Sequence, residues 1–149
     1  AVPAGATLKL HAHGAGAQIY ACTAGANGAA PAWVLQAPDA RLLDAAGAEI
    51  GTHTAGPTWT AADGSAVVAK KVADAPAPAA GAIPWLLLRA TSNRGAGTFA
   101  GIGYVQRLAT AGGKAPATGC DAAAVGKTLR VDYTAEYYFY GGAPPAAGN

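Results

Sequence analysis

Three histidines are the residues of this sequence whose type and spacing best suit metal chemistry. His11 and His13 stand two positions apart in the alternating run TLKLHAH, so on a β-strand both imidazoles project to the same side. His53, within GTHTAGPTWT, could add a third nitrogen and complete a copper or zinc site with an open position. This pattern predicts a metal site formed by His11, His13 and His53.

A structural role for the same histidines is the alternative, and the sequence favours it. The first two share the polar side of their strand with Lys9, where an imidazole simply meets water, and no carboxylate that could support a metal ligand is evident nearby. Gly56-Pro57 fixes a turn, Trp59 starts the next strand and packs over the bend, and His53 then holds the corner by a hydrogen bond. No cofactor is therefore expected, and copper or zinc stays the open alternative.

The large aromatic residues indicate a second candidate site, a face that stacks on a small molecule or a glycan. The three tryptophans and the tyrosines at 133, 137, 138 and 140 are more large rings than so light a core needs. The alternative is that the rings form the core, because a β domain rich in Ala and Gly must obtain its buried area from few bulky residues. The candidate ligand-binding residues are Trp33, Trp59 and Tyr138.

Other catalytic arrangements find little support in the sequence. Ser65 and Ser92 lack the Gly-x-Ser-x-Gly turn that presents a hydrolase nucleophile. Asp132 and Glu136 share the polar side of one predicted strand, so a catalytic carboxylate pair would require cross-strand packing, and solvent contact is the simpler interpretation. The sequence therefore leans towards a protein without enzymatic activity and assigns no catalytic residues.

Two cysteines, Cys22 and Cys120, are predicted to form one disulfide. Such a bond closes a loop of about 100 residues and contributes about 4 to 5 kcal/mol in the chain-entropy model. The alternative is a pair of thiols for metal or redox chemistry, but the C-x-x-C spacing of such sites is missing. A disulfide implies an oxidising compartment, and a chain that begins Ala1-Val2-Pro3 without any methionine suggests a removed leader. We therefore expect a secreted protein, periplasmic or extracellular.

The composition argues against two classes of partner. Charged residues make up 12% of the 149 residues, and the net charge is +2. The basic residues are scattered apart from Lys70 and Lys71, so the basic stripe of a nucleic-acid or anionic-membrane binder is missing. The longest apolar run, around residues 85–88, is far shorter than the roughly 20 residues that span a bilayer. We expect neither a nucleic-acid partner nor a membrane span.

Short runs of alternating hydrophobicity, separated by Gly, Pro and Asn clusters, are typical of an all-β fold. The clearest is TLRVDYTAEYYFY. Its first apolar residues, Leu129, Val131 and Tyr133, project to one side of a strand, and Arg130 and Asp132 project to the other. We predict an antiparallel β-sandwich or distorted barrel of about 8–10 short strands with one disulfide. Further predicted strands are residues 7–13, 17–23, 32–36, 40–45, 48–54 and 98–108.

The length of the chain indicates one domain, residues 1–149. Three parts of it are expected outside the strands. Residues 1–6 form an N-terminal arm, the Pro/Ala-rich residues 74–82 form a surface loop, and residues 141–149 form a flexible C-terminal tail.

A set of short motifs stands in a specific order over roughly residues 5 to 140: QIYAC, GTHTAGPTW, DGSAV, IPWLLL, GYVQRLATAGGKAP and YTAEYYFY. In these motifs the chain resembles a secreted family of bacteria and fungi, domain-of-unknown-function family 3455. The resemblance implies an exported single-domain protein, and it assigns no catalytic residues.

Together these patterns predict an exported, non-enzymatic binding or surface-associated module for an unidentified small molecule or glycan. One alternative is the copper- or zinc-binding protein described above. Another is a structural subunit that self-assembles through its Ala/Gly-rich N-terminal strand or through the tail YGGAPPAAGN.

Overall fold

The first strand pairs along both of its edges, and this closes the sheet. In the computed structural model, which describes residues 2–142, β1 (Thr7–Thr23) pairs with β2 (Ala32–Leu43) on one side and with β8 (Thr128–Gly141) on the other. Each remaining strand pairs antiparallel with the next along the chain, so eight strands form a closed barrel. The intervening strands are β3 (Glu49–Thr54), β4 (Thr58–Ala61), β5 (Ala66–Ala75), β6 (Trp85–Arg94) and β7 (Ile102–Gly112).

The prediction of an all-β, antiparallel fold is confirmed, and of the two predicted architectures the barrel is formed. The helical segments of the described residues are two short 3₁₀ turns, Ala26–Gly28 and Ala122–Ala124. Within residues 2–142, no helix is long and apolar enough to cross a membrane.

Strand β1 runs unbroken through Gly14-Ala15-Gly16, where the sequence indicated a break between two strands. Close packing explains both glycines. A Cβ on Gly14 would lie 2.5 Å from Cε2 of Tyr137, and a Cβ on Gly16 would collide with the carbonyl oxygen of Asp39. The missing side chains therefore let a ring of β8 and the backbone of β2 approach β1.

The predicted boundaries fall close to strand ends. Strand β1 begins directly after the predicted arm, residues 1–6. The Pro/Ala-rich connection covers residues 76–84 rather than 74–82, because β5 extends to Ala75. Gly141 of the predicted tail is the last residue of β8, and residues 143–149 lie outside the described residues.

Inward-facing rings of β8 form the centre of the core. The predicted alternation of this strand is confirmed, since Tyr133, Ala135, Tyr137 and Phe139 are all buried. Phe139 contacts Phe99 at a centroid distance of 4.8 Å. Rings thus fill much of the barrel, as expected for a chain rich in small residues. The other large side chains that are fully buried include Trp59, Leu42, Val67, Ile102 and Val105.

The end of the barrel at which β4 and β6 finish is closed by the connection between β6 and β7. Asp63 accepts hydrogen bonds from the backbone N–H and the hydroxyl of both Ser65 and Thr98. These bonds, that of the Ser65 hydroxyl above all, hold the pKa of Asp63 well below its usual value. The Ser65 hydroxyl in turn accepts the backbone N–H of Phe99 at 3.0 Å. The network therefore fixes Phe99 in the core, and Ser65 has a structural role.

Cys22 and Cys120 form the predicted disulfide, with their Cα atoms 5.4 Å apart. The bond joins the end of β1 to the long connection between β7 and β8. The same connection is held by a backbone hydrogen bond from Cys22 N to the carbonyl of Lys127, 2.9 Å. On β2, Trp33 Nε1 donates to the carbonyl of Thr118 at 3.0 Å. The connection is thereby fixed to both strands.

Removing the disulfide is expected to lower the free energy of unfolding by about 4 kcal/mol. The double variant Cys22→Ala/Cys120→Ala loses a cross-link between residues 98 positions apart, so its unfolded chain gains entropy while the strand pairing is retained. Urea denaturation of the wild type and the variant measures the difference, and wild type reduced with dithiothreitol is the control. An unchanged free energy of unfolding would contradict the expectation.

Candidate ligand-binding cavity

The hairpin of β3 and β4 is shorter than its neighbours, and this leaves a notch in the barrel wall. β3 pairs with residues 40–43 of β2, and β4 pairs with residues 66–68 of β5. Among the described residues, 32–39 of β2 therefore pair with β1 alone, and 70–75 of β5 pair with β6 alone. These two strand segments flank an opening beyond the hairpin turn.

A cavity of about 300 Å³ begins at this notch and reaches into the barrel. Leu35 and Lys71 are exposed at its mouth, whereas Trp59 and Tyr137 at its inner end are buried. A volume near 300 Å³ lies at the lower end of the range for small-molecule sites. The walls between mouth and inner end are mostly apolar and include Pro38, Pro57, Leu86 and Leu88.

The inner end of the cavity is built from three packed rings. Pairing of β3 with β4 sets His53 opposite Trp59, and the two rings stack at a centroid distance of 4.3 Å with planes 11° apart. Tyr137 meets the imidazole edge-on at 5.3 Å and shares a hydrogen bond of 2.8 Å with the hydroxyl of Tyr133. Trp59 lies on the strand that follows the Gly56-Pro57 bend, as the sequence predicted.

His53 is neutral at physiological pH. Burial, which leaves the residue 3% exposed, lowers its pKa to about 4. The carbonyl of Thr58 opposes this shift and the positive charge of Arg107 adds to it. Because a carbonyl only accepts, Nδ1 of His53 donates to Thr58 O at 3.0 Å, as the sequence predicted for this corner. The neutral ring therefore keeps its lone pair, an acceptor, at Nε2.

Arg107 places a positive charge inside the barrel. It is 8% exposed, and its Nε and Nη2 donate to the carbonyl of Pro84 at 3.1 and 2.8 Å. No carboxylate within residues 2–142 lies within 4.0 Å of its guanidinium group. A buried charge is costly unless it is paired. Arg107 is thus a cation whose counter-ion the described chain does not supply.

Two further polar atoms of the lining have unmet hydrogen-bonding capacity. Oε1 of Gln18 and Nε1 of Trp59 are buried and have no partner among the described residues. A third such atom, Nε1 of Trp85, belongs to a residue outside this lining. Native interiors satisfy most buried polar groups, so two such atoms in one lining distinguish this cavity from the rest of the described interior.

The lining carries positive charge alone. Besides Arg107 it contains Lys71, whose Nζ pairs with Asp74 at 2.7 Å outside the cavity. The residues that line the cavity include no Asp or Glu. Burial raises the pKa of Tyr137 well above its ordinary value, so this phenol stays neutral as well. The electrostatic field in the cavity therefore favours an anion.

The structure does not bring the three predicted ligand-binding rings together. Trp59 lines the cavity. Trp33 lies on the exposed half of β2 and binds the carbonyl of Thr118. Tyr138 is on the outer face of β8, where it stacks on His11 at 4.4 Å. A shared aromatic platform is absent from these three positions, and Trp59 alone of them faces the candidate site.

His11 and His13 lie on the outer face of the barrel and share one carboxylate. Nε2 of His11 is 2.6 Å from Oε1 of Glu136, and Nδ1 of His13 is 2.5 Å from Oε2. The expectation that no carboxylate lies near these histidines is therefore wrong. Partial burial opposes ionisation, but the bonds from the two imidazoles hold the pKa of Glu136 below its usual value.

The three imidazoles predicted as metal ligands are on opposite sides of the barrel wall. The side chains of His11 and His13 are 48% and 41% exposed, whereas His53 is buried in the interior. Alternation along the strands accounts for this, since His53 pairs with Ala40 at an inward position. In the part of the chain that the structure describes, no three His, Cys, Asp or Glu residues are arranged to hold a metal ion.

Sequence reasoning missed the two most informative residues of the cavity, Gln18 and Arg107. Both occupy inward positions of otherwise apolar alternation: Gln18 stands two before the buried Tyr20, and Arg107 stands two after the buried Val105. A polar side chain in register with the apolar face of a strand is the signal that marks them.

The chain belongs to the family described as "Protein of unknown function (DUF3455)", whose model matches residues 3–141. No curated protein and no solved structure matches the chain. The family resemblance seen in the motifs is thereby confirmed. It adds no assigned ligand, so the geometry of the cavity carries the functional argument.

The buried, neutral His53 predicts a pH-dependent stability. In the unfolded chain its imidazole takes up a proton at an ordinary pKa of about 6.5, whereas in the barrel its pKa is about 4. The contribution of His53 is therefore complete above about pH 6.5 and is lost progressively as the pH falls to about 4, a loss of about 3 kcal/mol. Urea denaturation between pH 7 and pH 4 measures the free energy of unfolding.

The variant His53→Gln is the matched control, because the remaining acids and histidines titrate alike in both proteins. The wild type should lose more stability than the variant over this range. NMR titration of the Cε1–H signal of His53 in the folded wild type gives an independent reading. An imidazole that titrates near pH 6.5 in the folded protein would show that burial does not hold it neutral.

Proposed function

We propose that this protein is an exported, non-enzymatic module that binds a small organic molecule inside its barrel. One observation carries the proposal: a cavity of about 300 Å³ extends from the notch beside the β3–β4 hairpin to a group of buried polar side chains. Small-molecule sites are typically apolar clefts with a few placed polar groups. The lining of this cavity has that composition.

The unmet polar groups support ligand binding over simple packing. Arg107 lacks a counter-ion among the described residues, and Gln18 and Trp59 each hold a polar atom without a partner there. A ligand that pairs with these groups recovers interactions that the empty barrel forgoes. All three groups lie in the lining of the same cavity, so one ligand can pair with all of them.

The form of the site favours a compact ligand over an extended glycan. Sugar chains stack on exposed aromatic platforms, but Trp59 is 1% exposed and is reached through the notch. Trp33 and Tyr138 lie elsewhere on the barrel. The ligand therefore enters the interior and contacts leucine and proline side chains along the way.

Two features support binding without catalysis, and one supports export. The pKa of His53, about 4, makes its free Nε2 a weak base at neutral pH, and the lining offers neither a carboxylate nor a cysteine as a catalytic partner. The Cys22–Cys120 bond is compatible with an oxidising compartment outside the cytosol.

Filling the cavity is expected to abolish binding. Leu86 lines the cavity and Leu87, its neighbour on β6, lies on the opposite face, so Leu86→Trp and Leu87→Trp are a matched pair. The probes are 2-naphthoate and its uncharged analogue 2-naphthamide. NMR follows the indole N–H signal of Trp59, and isothermal titration calorimetry gives the affinities.

At least one probe should bind the wild type and shift the Trp59 signal more than those of Trp33 and Trp85. We expect Leu86→Trp to weaken this binding at least tenfold, because the new ring occupies the site, and Leu87→Trp to change it less than about twofold. Absence of binding by both probes, or equal weakening in the two variants, would refute the proposed site.

A further inference from the structure

We infer that the ligand of this cavity is a small apolar carboxylic acid, bound as its anion with the carboxylate paired to Arg107. The inference rests on the proposed function and adds the chemical class of the ligand. It follows from the charge, the hydrogen-bonding geometry and the size of the cavity.

The charge of the cavity selects an anion. The guanidinium group of Arg107 is buried without a carboxylate partner among residues 2–142. A buried ion is stabilised when an opposite charge and additional hydrogen bonds accompany it. His53 is neutral and does not compete for the anion as a second buried cation. The free charge in the interior is therefore that of Arg107.

The number of charges selects a monoanion. Lys71 is exposed at the mouth and already pairs with Asp74 at 2.7 Å, so one buried cation remains to be neutralised. A phosphate would carry about two negative charges at neutral pH and leave one of them unpaired in an apolar cavity. A carboxylate carries one.

The donors of Arg107 suit a carboxylate. Its Nε and Nη2 donate to the carbonyl of Pro84, and the guanidinium group also interacts with the hydroxyl of Tyr137, so a ligand carboxylate would bind the remaining N–H groups of the fork. A guanidinium group has five N–H donors in a planar fork that matches carboxylate geometry. Oε1 of Gln18 and Nε1 of Trp59, which lack partners among the described residues, add an acceptor and a donor for further polar groups of the ligand.

The remaining lining selects an apolar body. Leu86 lies directly opposite Arg107 in the β6–β7 pairing, and Leu88 and Pro57 continue the wall towards the notch. An acid with its carboxylate at Arg107 therefore places its carbon skeleton among these side chains. With about 300 Å³ available, the skeleton is that of a small ring system or a short chain.

The test compares 2-naphthoate with 2-naphthamide, which share one skeleton and differ in charge. Wild-type protein should bind the acid about ten to a hundredfold more tightly than the amide, as expected for a charge-assisted hydrogen bond in place of a neutral one. In Arg107→Gln this ratio should fall to within about threefold of unity. In the control Arg89→Gln, which alters an arginine outside the cavity lining, the ratio should stay at the wild-type value.

The outcomes separate this inference from the proposed function. If the wild type binds acid and amide with equal affinity and Leu86→Trp binds neither, the inference of a carboxylic acid ligand is wrong and the proposed binding function is supported. Binding of neither compound overturns both. If Arg107→Gln fails to fold, the Nε–Hε NMR signal of Arg107 in the wild type decides: it should shift with the acid and not with the amide, and an unaffected signal overturns the inference.

Discussion

Closure of the sheet between β1 and β8 is the constraint on which the rest of the structure depends. The two strands pair from Thr7 opposite Gly141 to Ala21 opposite Thr128. An eight-stranded barrel has an interior just wide enough for its own side chains or for one small ligand. Space inside is scarce enough that Gly14 must lack a side chain beneath the ring of Tyr137. A cavity exists because the short β3–β4 hairpin leaves part of the wall uncovered.

The interior divides into an apolar end and a polar end. Phe99, Ile102 and Phe139 fill the end that Asp63 closes, and burial of such side chains contributes most of the stabilisation. At the other end the barrel buries His53 and Arg107, which is unfavourable unless their hydrogen bonds are made. The carbonyls of Thr58 and Pro84 meet part of that need. The apolar end thus offsets the cost of a polar site at the opposite end.

Periodicity along the chain predicted which side of a strand faces inwards, and therefore much of the fold. The alternation of β8, the disulfide of Cys22 with Cys120, and the corner at His53 follow from local pattern and residue type. Contacts between strands that are distant in the sequence do not follow from such local patterns. Glu136 meets His11 across 125 positions of sequence because the barrel closes, and no hairpin turn joins β1 to β8 to set their register. For the same reason the glycines of β1 indicated a break between two strands. The ring of Tyr137, which leaves no room for a side chain at Gly14, lies on β8, far away in the sequence.

Arg107, buried without a carboxylate partner among the described residues, departs from the rule that buried charges are paired, and such exceptions concentrate at functional sites. In the proposed function this charge gives specificity, because a neutral molecule in the cavity would leave Arg107 without a counter-ion while an acid would neutralise it. The low pKa of His53 prevents a second positive charge inside the cavity. Were the imidazole protonated, two cations would share one cavity, and the empty barrel would carry twice the unmet charge. By holding His53 neutral against Trp59, the short hairpin that opens the cavity also leaves Arg107 as the one buried cation of the described lining, the charge that the proposed carboxylate would match.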